Sequence, residues 1–173
     1  MSRDFAEANA PQRMLRRFAA SGPGSWLFSR VLDPMDRLTF RVTRGRHLAS
    51  SMLSALPVAM VTTTGARSGQ SRTVPLLAML TDDGLAVIGS NYGRPKHPAW
   101  RHNLRGNPEG EVDVEGRRWA FSAVEVEDER RERIWAEALL TYPGFSAYAQ
   151  RAAPRRISVF VLEPKGGGVP SEA

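Results

Sequence analysis

The chain has 173 residues, of which 42% are hydrophobic and 24% charged, a composition typical of one globular domain and not of a disordered protein. It contains no cysteine, which excludes disulfides, thiolate metal sites, iron–sulfur clusters and a cysteine nucleophile. The net charge is +6, made up of +8 in residues 1–110 and −2 in residues 111–173, so an anionic partner is expected on the first two thirds.

The first fifty residues predict a helical extension. Its clearest part is residues 25–46, where apolar residues recur every three or four positions and arginines recur on a different face. Such an amphipathic helix indicates either peripheral contact with a membrane surface or packing over the rest of the protein with its arginines in water. The apolar runs are too short to span a membrane, and the polar N-terminus does not resemble a secretion signal, so we expect a cytoplasmic protein.

Residues 51–164 predict a second part made mainly of strands, followed by a flexible tail over residues 165–173. Six strands and too few alternating strand–helix units predict an α+β fold with a small antiparallel barrel and helices outside it. A shift in the apolar phase between Phe121 and Val124 predicts a β-bulge. The predicted strands are Val58–Thr64, Thr73–Leu80, Leu85–Gly89, Glu111–Val114, Arg118–Val126 and Ile157–Leu162, and the helices begin at Pro98 and at an Asp128 N-cap.

Two loops carry the residue types that bind anions. In the first, Gly65 and Gly69 bracket Ala66, Arg67 and Ser68, and Arg72 follows, which is typical of backbone N–H groups and guanidinium groups turned toward a phosphate or carboxylate. The alternative is a hairpin loop with solvated arginines.

The second loop runs from Ser90 to Pro98 and contains Arg94 and Lys96, next to the N-terminus of the short helix. A helix N-terminus beside two basic residues favours an anion. The alternative is an exposed connection in which Trp100 anchors the core and Asn103 caps the helix.

A third segment places Tyr142, Phe145 and Tyr148 at steps of three. These residues form either an aromatic lid whose phenols donate a proton or the packing surface of a helix on the barrel. The three histidines do not have the spacing of a metal site, and no nucleic-acid recognition motif is evident, so neither a metal nor a nucleic-acid partner is expected.

In this order, the three segments resemble the deazaflavin-dependent nitroreductase family of actinobacteria, which use coenzyme F420 on a split β-barrel. The resemblance covers about residues 55–164. It is carried by the run from Thr62 to Arg72, by Val74-Pro-Leu76, Ser90, the run from His97 to Leu104, Asn107-Pro108, Tyr142-Pro143, Tyr148 and Val161-Leu-Glu-Pro164.

The resemblance implies an F420H2-dependent reductase that transfers a hydride to a quinone, a nitroaromatic or an activated enone. It implies Ser90, Tyr142 and Tyr148 as catalytic residues. The implied cofactor-binding residues are Ala66, Arg67, Ser68, Arg72, Thr73, Val74, Pro75, Leu76, Leu77, Ile88, Gly89, Ser90, Asn91, Ala99, Trp100, Arg101, His102, Asn103 and Phe145.

Some positions depart from the family pattern. Leu77 and Phe145 lack a hydroxyl that relatives carry, and Asn91 stands where relatives often have lysine, which puts nitro-prodrug activity in question. Two alternatives therefore remain at this point: a non-catalytic binder of F420 or a lipid-like ligand, and a flavin mononucleotide enzyme on the related barrel. The protein is expected to be a monomer or a homodimer.

Overall fold

Six antiparallel strands close into a barrel in the computed structural model, which describes residues 58–166. The strand order is β1-β2-β3-β6-β5-β4, and pairing of β1 with β4 closes the barrel. This confirms the predicted split barrel. The strands are β1 (Val58–Thr64), β2 (Ser71–Thr81), β3 (Gly84–Ile88), β4 (Glu109–Val114), β5 (Arg117–Val126) and β6 (Val159–Pro164), and the helices are α1 (Ala99–Gly106), α2 (Asp128–Thr141) and α3 (Gly144–Ala152).

Tight turns set the register of two hairpins. Glu115 and Gly116, between β4 and β5, both have positive φ angles of 53° and 88°, as a two-residue hairpin turn requires. The Asp113 carboxylate accepts a hydrogen bond from the Gly116 N–H at 3.0 Å. Gly84, after β2, cannot be replaced without rearrangement, because a Cβ there would lie 2.3 Å from the Leu162 carbonyl oxygen.

Successive side chains of each strand point to opposite faces of the barrel wall, which separates two apolar clusters. Leu85 and Val87 of β3 point into the barrel, whereas Ala86 and Ile88 point outward beneath α2 and α3. Strand β6 is buried on both faces, since Phe160 faces the interior and Val161 the helices. This strand lies between β3 and β5 in the barrel wall.

Two local predictions were wrong. Strand β5 pairs with β4 and β6 in an unbroken register, so no bulge separates Phe121 from Val124. Ala123 continues the inward phase instead, and Val124 is exposed on the outer face. Asp128 is the first residue of α2, while Glu127 occupies the cap position without a side-chain cap hydrogen bond.

The predicted N-terminal extension over residues 1–50 and most of the predicted tail lie outside the described residues. Within residues 58–166, no helix combines the length and the hydrophobicity needed to cross a membrane.

Candidate active site

The loop between β1 and β2 is folded tightly on itself. The Gly65 N–H donates to the Gln70 carbonyl and the Gly69 N–H to the Gly65 carbonyl, both at 2.8 Å. Gly69 has a φ angle of 63°, which explains the need for glycine at this position. Arg67 and Ser68 are exposed at the tip, and Arg67 makes no hydrogen bond or ion pair with another described residue.

Asn103 of α1 ties this loop to the barrel. Its Nδ2 donates to the Thr63 hydroxyl at 3.0 Å, and its Oδ1 accepts from the Ala66 N–H at 3.1 Å. Asn103 and Thr63 are both buried. The Ala66 N–H is therefore already occupied, and Asn103 acts on the loop from beneath rather than by capping the helix.

Arg72 follows the loop at the start of β2. It is exposed on β2, and its Nη2 donates to the Gln70 side chain at 2.8 Å. With Arg67 it places two arginine side chains at one end of the barrel, where no described carboxylate pairs with either. This arrangement favours an anionic group.

The next residues of β2 form a half-buried, uncharged wall. Residues Thr73, Val74, Pro75, Leu76 and Leu77 are all of intermediate exposure, although alternate residues face opposite sides of the strand. Val74 and Leu76 contact the interior cluster, and the Thr73 and Thr62 hydroxyls lie 2.8 Å apart. A flat, apolar group could lie along this wall without leaving a charge unpaired.

The turn after β3 has an unusual backbone. Asn91, Tyr92 and Gly93 all have positive φ angles, of 48°, 55° and 75°. For a residue other than glycine this region costs roughly 1–2 kcal/mol, so the surrounding structure must hold the turn in place. A Cβ on Gly93 would lie 3.0 Å from the Tyr148 carbonyl oxygen, which shows how closely α3 packs on the turn.

Ser90 is the half-buried residue that opens this turn. Its carbonyl accepts hydrogen bonds from the Gly93 N–H at 3.0 Å and from Arg155 Nη2 at 2.7 Å. Its hydroxyl makes no hydrogen bond with another described residue and can serve a ligand. The neighbouring Ile88 and Gly89 are buried, and Gly89 donates its N–H to the Ser158 carbonyl.

Helix α1 has one face buried against the core and one face exposed at the surface. Trp100 packs edge-on against Phe160 with ring centroids 5.6 Å apart, as expected for a core anchor. Arg101 is buried as well: its Nε donates to the Ser158 hydroxyl at 2.6 Å and its Nη2 pairs with Glu125. Ala99 and His102 are the exposed members of the predicted set.

Positive charge is concentrated around His97, just before α1. Burial lowers the pKa of His97, and the nearby charges of Arg101, Arg155, His102 and Arg105 lower it further. The imidazole is therefore neutral at pH 7, and its buried Nδ1 has no hydrogen-bond partner. This end of the barrel is an environment in which an added anion is electrostatically favoured.

The predicted catalytic tyrosines lie in the core. Tyr142 and Tyr148 are each 4% exposed, their hydroxyl oxygens are 3.1 Å apart, and Phe145 packs edge-on against both rings. Burial is the main reason that the pKa of each phenol is raised, so neither ionises at physiological pH. The three aromatic side chains form a packing cluster at the junction of α2 and α3.

Sequence reasoning did not identify Arg155, which donates hydrogen bonds to three carbonyls of the Ser90 turn. No local signal marks it, because its partners lie more than sixty residues earlier in the chain. Within residues 58–166, no group of three or more metal-ligating side chains is present.

Comparison with known proteins agrees with this arrangement. A model of the F420H2-dependent quinone reductase family matches residues 36–164. The F420H2-dependent quinone reductase of Mycobacterium tuberculosis is 34% identical over 115 residues, which are 64% of this chain and 76% of that protein.

Solved structures are similar as well. The F420H2-dependent reductase FDR-A is 37% identical with a TM-score of 0.57, over 62% of this chain and 94% of that one. Another structure, described as a domain-swapped dimer, is 32% identical with a TM-score of 0.60, over 82% of this chain and all of the other. Because the family model spans most of the sequence, including every strand of the barrel, the chain belongs to the F420H2-dependent quinone reductase family.

Proposed function

We propose that this protein uses F420H2 to reduce a quinone-type acceptor at the barrel end formed by the Gly65–Gln70 loop, the half-buried part of β2 and the Ser90 turn. The observation that carries the proposal is the uncharged wall from Thr73 to Leu77, with unpaired arginine charge at one end. F420 combines a flat ring with a phosphodiester and a polyglutamate tail. The uncharged wall fits the ring, and the arginines fit the anionic tail.

Arg67, Ser68 and Arg72 would hold the anionic part. Their guanidinium and hydroxyl donors are exposed, and Asn103 holds the loop that presents Arg67 and Ser68. Val74, Pro75 and Leu76 would lie against the ring and keep water from one of its faces. Ala99 and His102 are the α1 residues exposed to a ligand, whereas Trp100, Arg101 and Asn103 support the site from within.

The bound reduced deazaflavin supplies a hydride, which sets the reaction class. The Ser90 hydroxyl would hydrogen-bond the oxygen on which negative charge develops. The positive groups around His97 stabilise that charge at longer range. The buried phenols of Tyr142 and Tyr148 support the Ser90 turn through α3 and leave the proton to come from solvent.

The comparisons favour F420 over the two alternatives. The matching family, the mycobacterial relative and FDR-A are all F420H2-dependent reductases, which supports a reductase rather than a non-catalytic binder or a flavin mononucleotide enzyme. A quinone is the acceptor named for the mycobacterial relative, and it is our first choice here. The domain-swapped relative supports a homodimer as the assembly to test. Membrane contact through residues 25–46 stays a prediction.

The experiment is a fluorescence titration with F420 and, in parallel, with flavin mononucleotide. We expect saturable binding of F420 alone, and reoxidation of F420H2 when menadione is added. Arg72→Ala removes one charge-assisted contact and should raise the dissociation constant by about 10-fold or more, because such a bond contributes roughly 1.5–3 kcal/mol.

Arg133→Ala is the matched control, because Arg133 is exposed on α2 and has no described partner. It should bind F420 as the wild type does. Preference for flavin mononucleotide would overturn the proposal, and an unchanged dissociation constant in Arg72→Ala would remove Arg72 from the site.

A further inference from the structure

Two arginines at and after the end of α3 bond the backbone of the Ser90 turn. Arg151 Nη2 donates to the Tyr92 carbonyl at 3.3 Å, and Arg155 makes the larger set of contacts. Arg155 Nη1 donates to the Gly89 carbonyl at 3.1 Å, and Nη2 donates to the Ser90 carbonyl at 2.7 Å. The Arg94 carbonyl accepts from both Nε, at 3.1 Å, and Nη2, at 2.9 Å. Four hydrogen bonds from one side chain therefore bracket the whole turn.

The turn needs such support because its backbone is strained. Asn91 and Tyr92 occupy the left-handed region without being glycine, and the following Gly93 does so against the packed backbone of α3. Within the turn, the Gly93 N–H bonds the Ser90 carbonyl and the Arg94 N–H bonds the Asn91 carbonyl. Asn91 Nδ2 adds a hydrogen bond to the Lys96 carbonyl at 2.8 Å. These bonds are local, whereas Arg155 ties the start and the end of the turn to the segment before β6.

Arg155 is suited to this role by its chemistry. A guanidinium has five donors in a fixed plane, and four of the contacts it can make are directed at one segment of backbone. No described carboxylate pairs with Arg155, so its charge is balanced by carbonyl dipoles only. Partial burial lowers the pKa of this guanidinium, and the charge of Arg101 lowers it further.

We propose that Arg155 is a positioning residue for the reduction step: it fixes the left-handed turn that aims the Ser90 hydroxyl. This inference rests on the proposed function, in which Ser90 contacts the reacting oxygen. It predicts that loss of Arg155 slows turnover more than it weakens F420 binding, because the arginine loop and the β2 wall are untouched.

The test compares Arg155→Ala and Arg155→Lys with Arg156→Ala. Arg156 is the adjacent control, since it is exposed and pairs only with Glu132 among the described residues. We expect kcat to fall by about 10-fold to 100-fold in Arg155→Ala, the range for a misplaced reacting group, with F420 affinity much less affected. Arg155→Lys keeps the charge without the planar fork, so its kcat should lie between those of Arg155→Ala and the wild type. The lysine variant also tests the proposal if the alanine variant does not fold.

Hydrogen exchange measures the turn without any activity. The Gly93 and Arg94 amides should exchange faster in both Arg155 variants, while amides of β1 and β6 exchange as in the wild type. If the wild type fails to bind F420, the proposed function is lost, but exchange at these two amides still decides whether Arg155 holds the turn.

A double-mutant cycle with Ser90→Ala measures whether Arg155 acts through Ser90. We expect the double variant to be little slower than Arg155→Ala alone. If the fall in kcat of the double variant equals the product of the two single falls, the proposal is overturned. So would wild-type exchange at Gly93 and Arg94, wild-type turnover in Arg155→Lys, or an equal rise in exchange across the whole barrel.

Discussion

At the scale of single residues, position along a pattern does not decide whether a side chain serves a site or a core. Tyr142, Phe145 and Tyr148 have the spacing of an aromatic lid, yet each is almost completely buried. Ser90 begins a loop that could equally be an exposed connection, yet it opens a strained turn and its hydroxyl has no partner among the described residues. Burial and hydrogen-bond partners separate these cases, and both depend on residues distant in the chain.

We predict that Tyr142→Phe and Tyr148→Phe leave kcat unchanged. Each variant removes the hydrogen bond between the two hydroxyls, which contributes about 0.5–1.5 kcal/mol, while the ring packing against Phe145 is kept. The free energy of unfolding should therefore fall slightly. Urea denaturation and steady-state kinetics measure the two effects, and a kcat lower by an order of magnitude would return these tyrosines to the catalytic set.

At the scale of elements, α1 connects the two loops that the sequence predicts to bind an anion. Its N-terminus follows the basic loop that ends at Pro98, and its buried face reaches the Gly65–Gln70 loop through Asn103. A Cβ on Gly106 would lie 3.3 Å from the Ala66 Cβ, so the end of the helix also packs on that loop. The helix is therefore a rigid support for the loop.

We predict that Asn103→Ala destabilises the protein and weakens F420 binding. The buried Thr63 hydroxyl and the Ala66 N–H both lose a partner, and an unsatisfied buried polar group costs about 1–3 kcal/mol. His102→Ala, one residue earlier on the exposed face, should change the free energy of unfolding little. Thermal unfolding and F420 titration of both variants test this, and equal stability of the two would show that the bridge contributes nothing.

At the scale of the whole molecule, one polar network joins α1 to the closing strands of the barrel. Glu125 of β5 accepts hydrogen bonds from Arg101 and Arg105 of α1, and the Ser158 hydroxyl before β6 contacts both Arg101 and Glu125. Burial alone would raise the pKa of Glu125, but the hydrogen bonds from Arg105 and Ser158 and the charge of Arg101 lower it overall. The ionised form is thus favoured by folding.

Because the pKa of Glu125 is lower in the folded state than its ordinary value of 4.5, its contribution to stability is present above that value. It is lost as the pH falls through the lower pKa of the folded state. We predict that Glu125→Gln lowers the free energy of unfolding at neutral pH and flattens its decrease in acid. Glu137→Gln, exposed on α2, should keep the wild-type dependence when both are followed by urea denaturation across the acid range.

The sequence by itself determined the six strands and the barrel, and it marked the two loops that are predicted to bind an anion. Alternating apolar residues and turn glycines are local signals, and they define strands and hairpins without reference to distant residues. The family resemblance was readable for the same reason, since its motifs are short runs in a fixed order. The predicted bulge was wrong because Val124 is apolar but lies on the outer face, which only the strand register reveals.

Only the tertiary structure decided which residues of each motif are buried and which are exposed. Trp100, Arg101 and Asn103 stand in the middle of a motif, but the helical period turns them inward. Arg155 gains its partners because barrel closure brings the segment before β6 beside the end of β3. Such contacts join positions far apart in the chain, so no local pattern encodes them, and the conformation of the Ser90 turn depends on them.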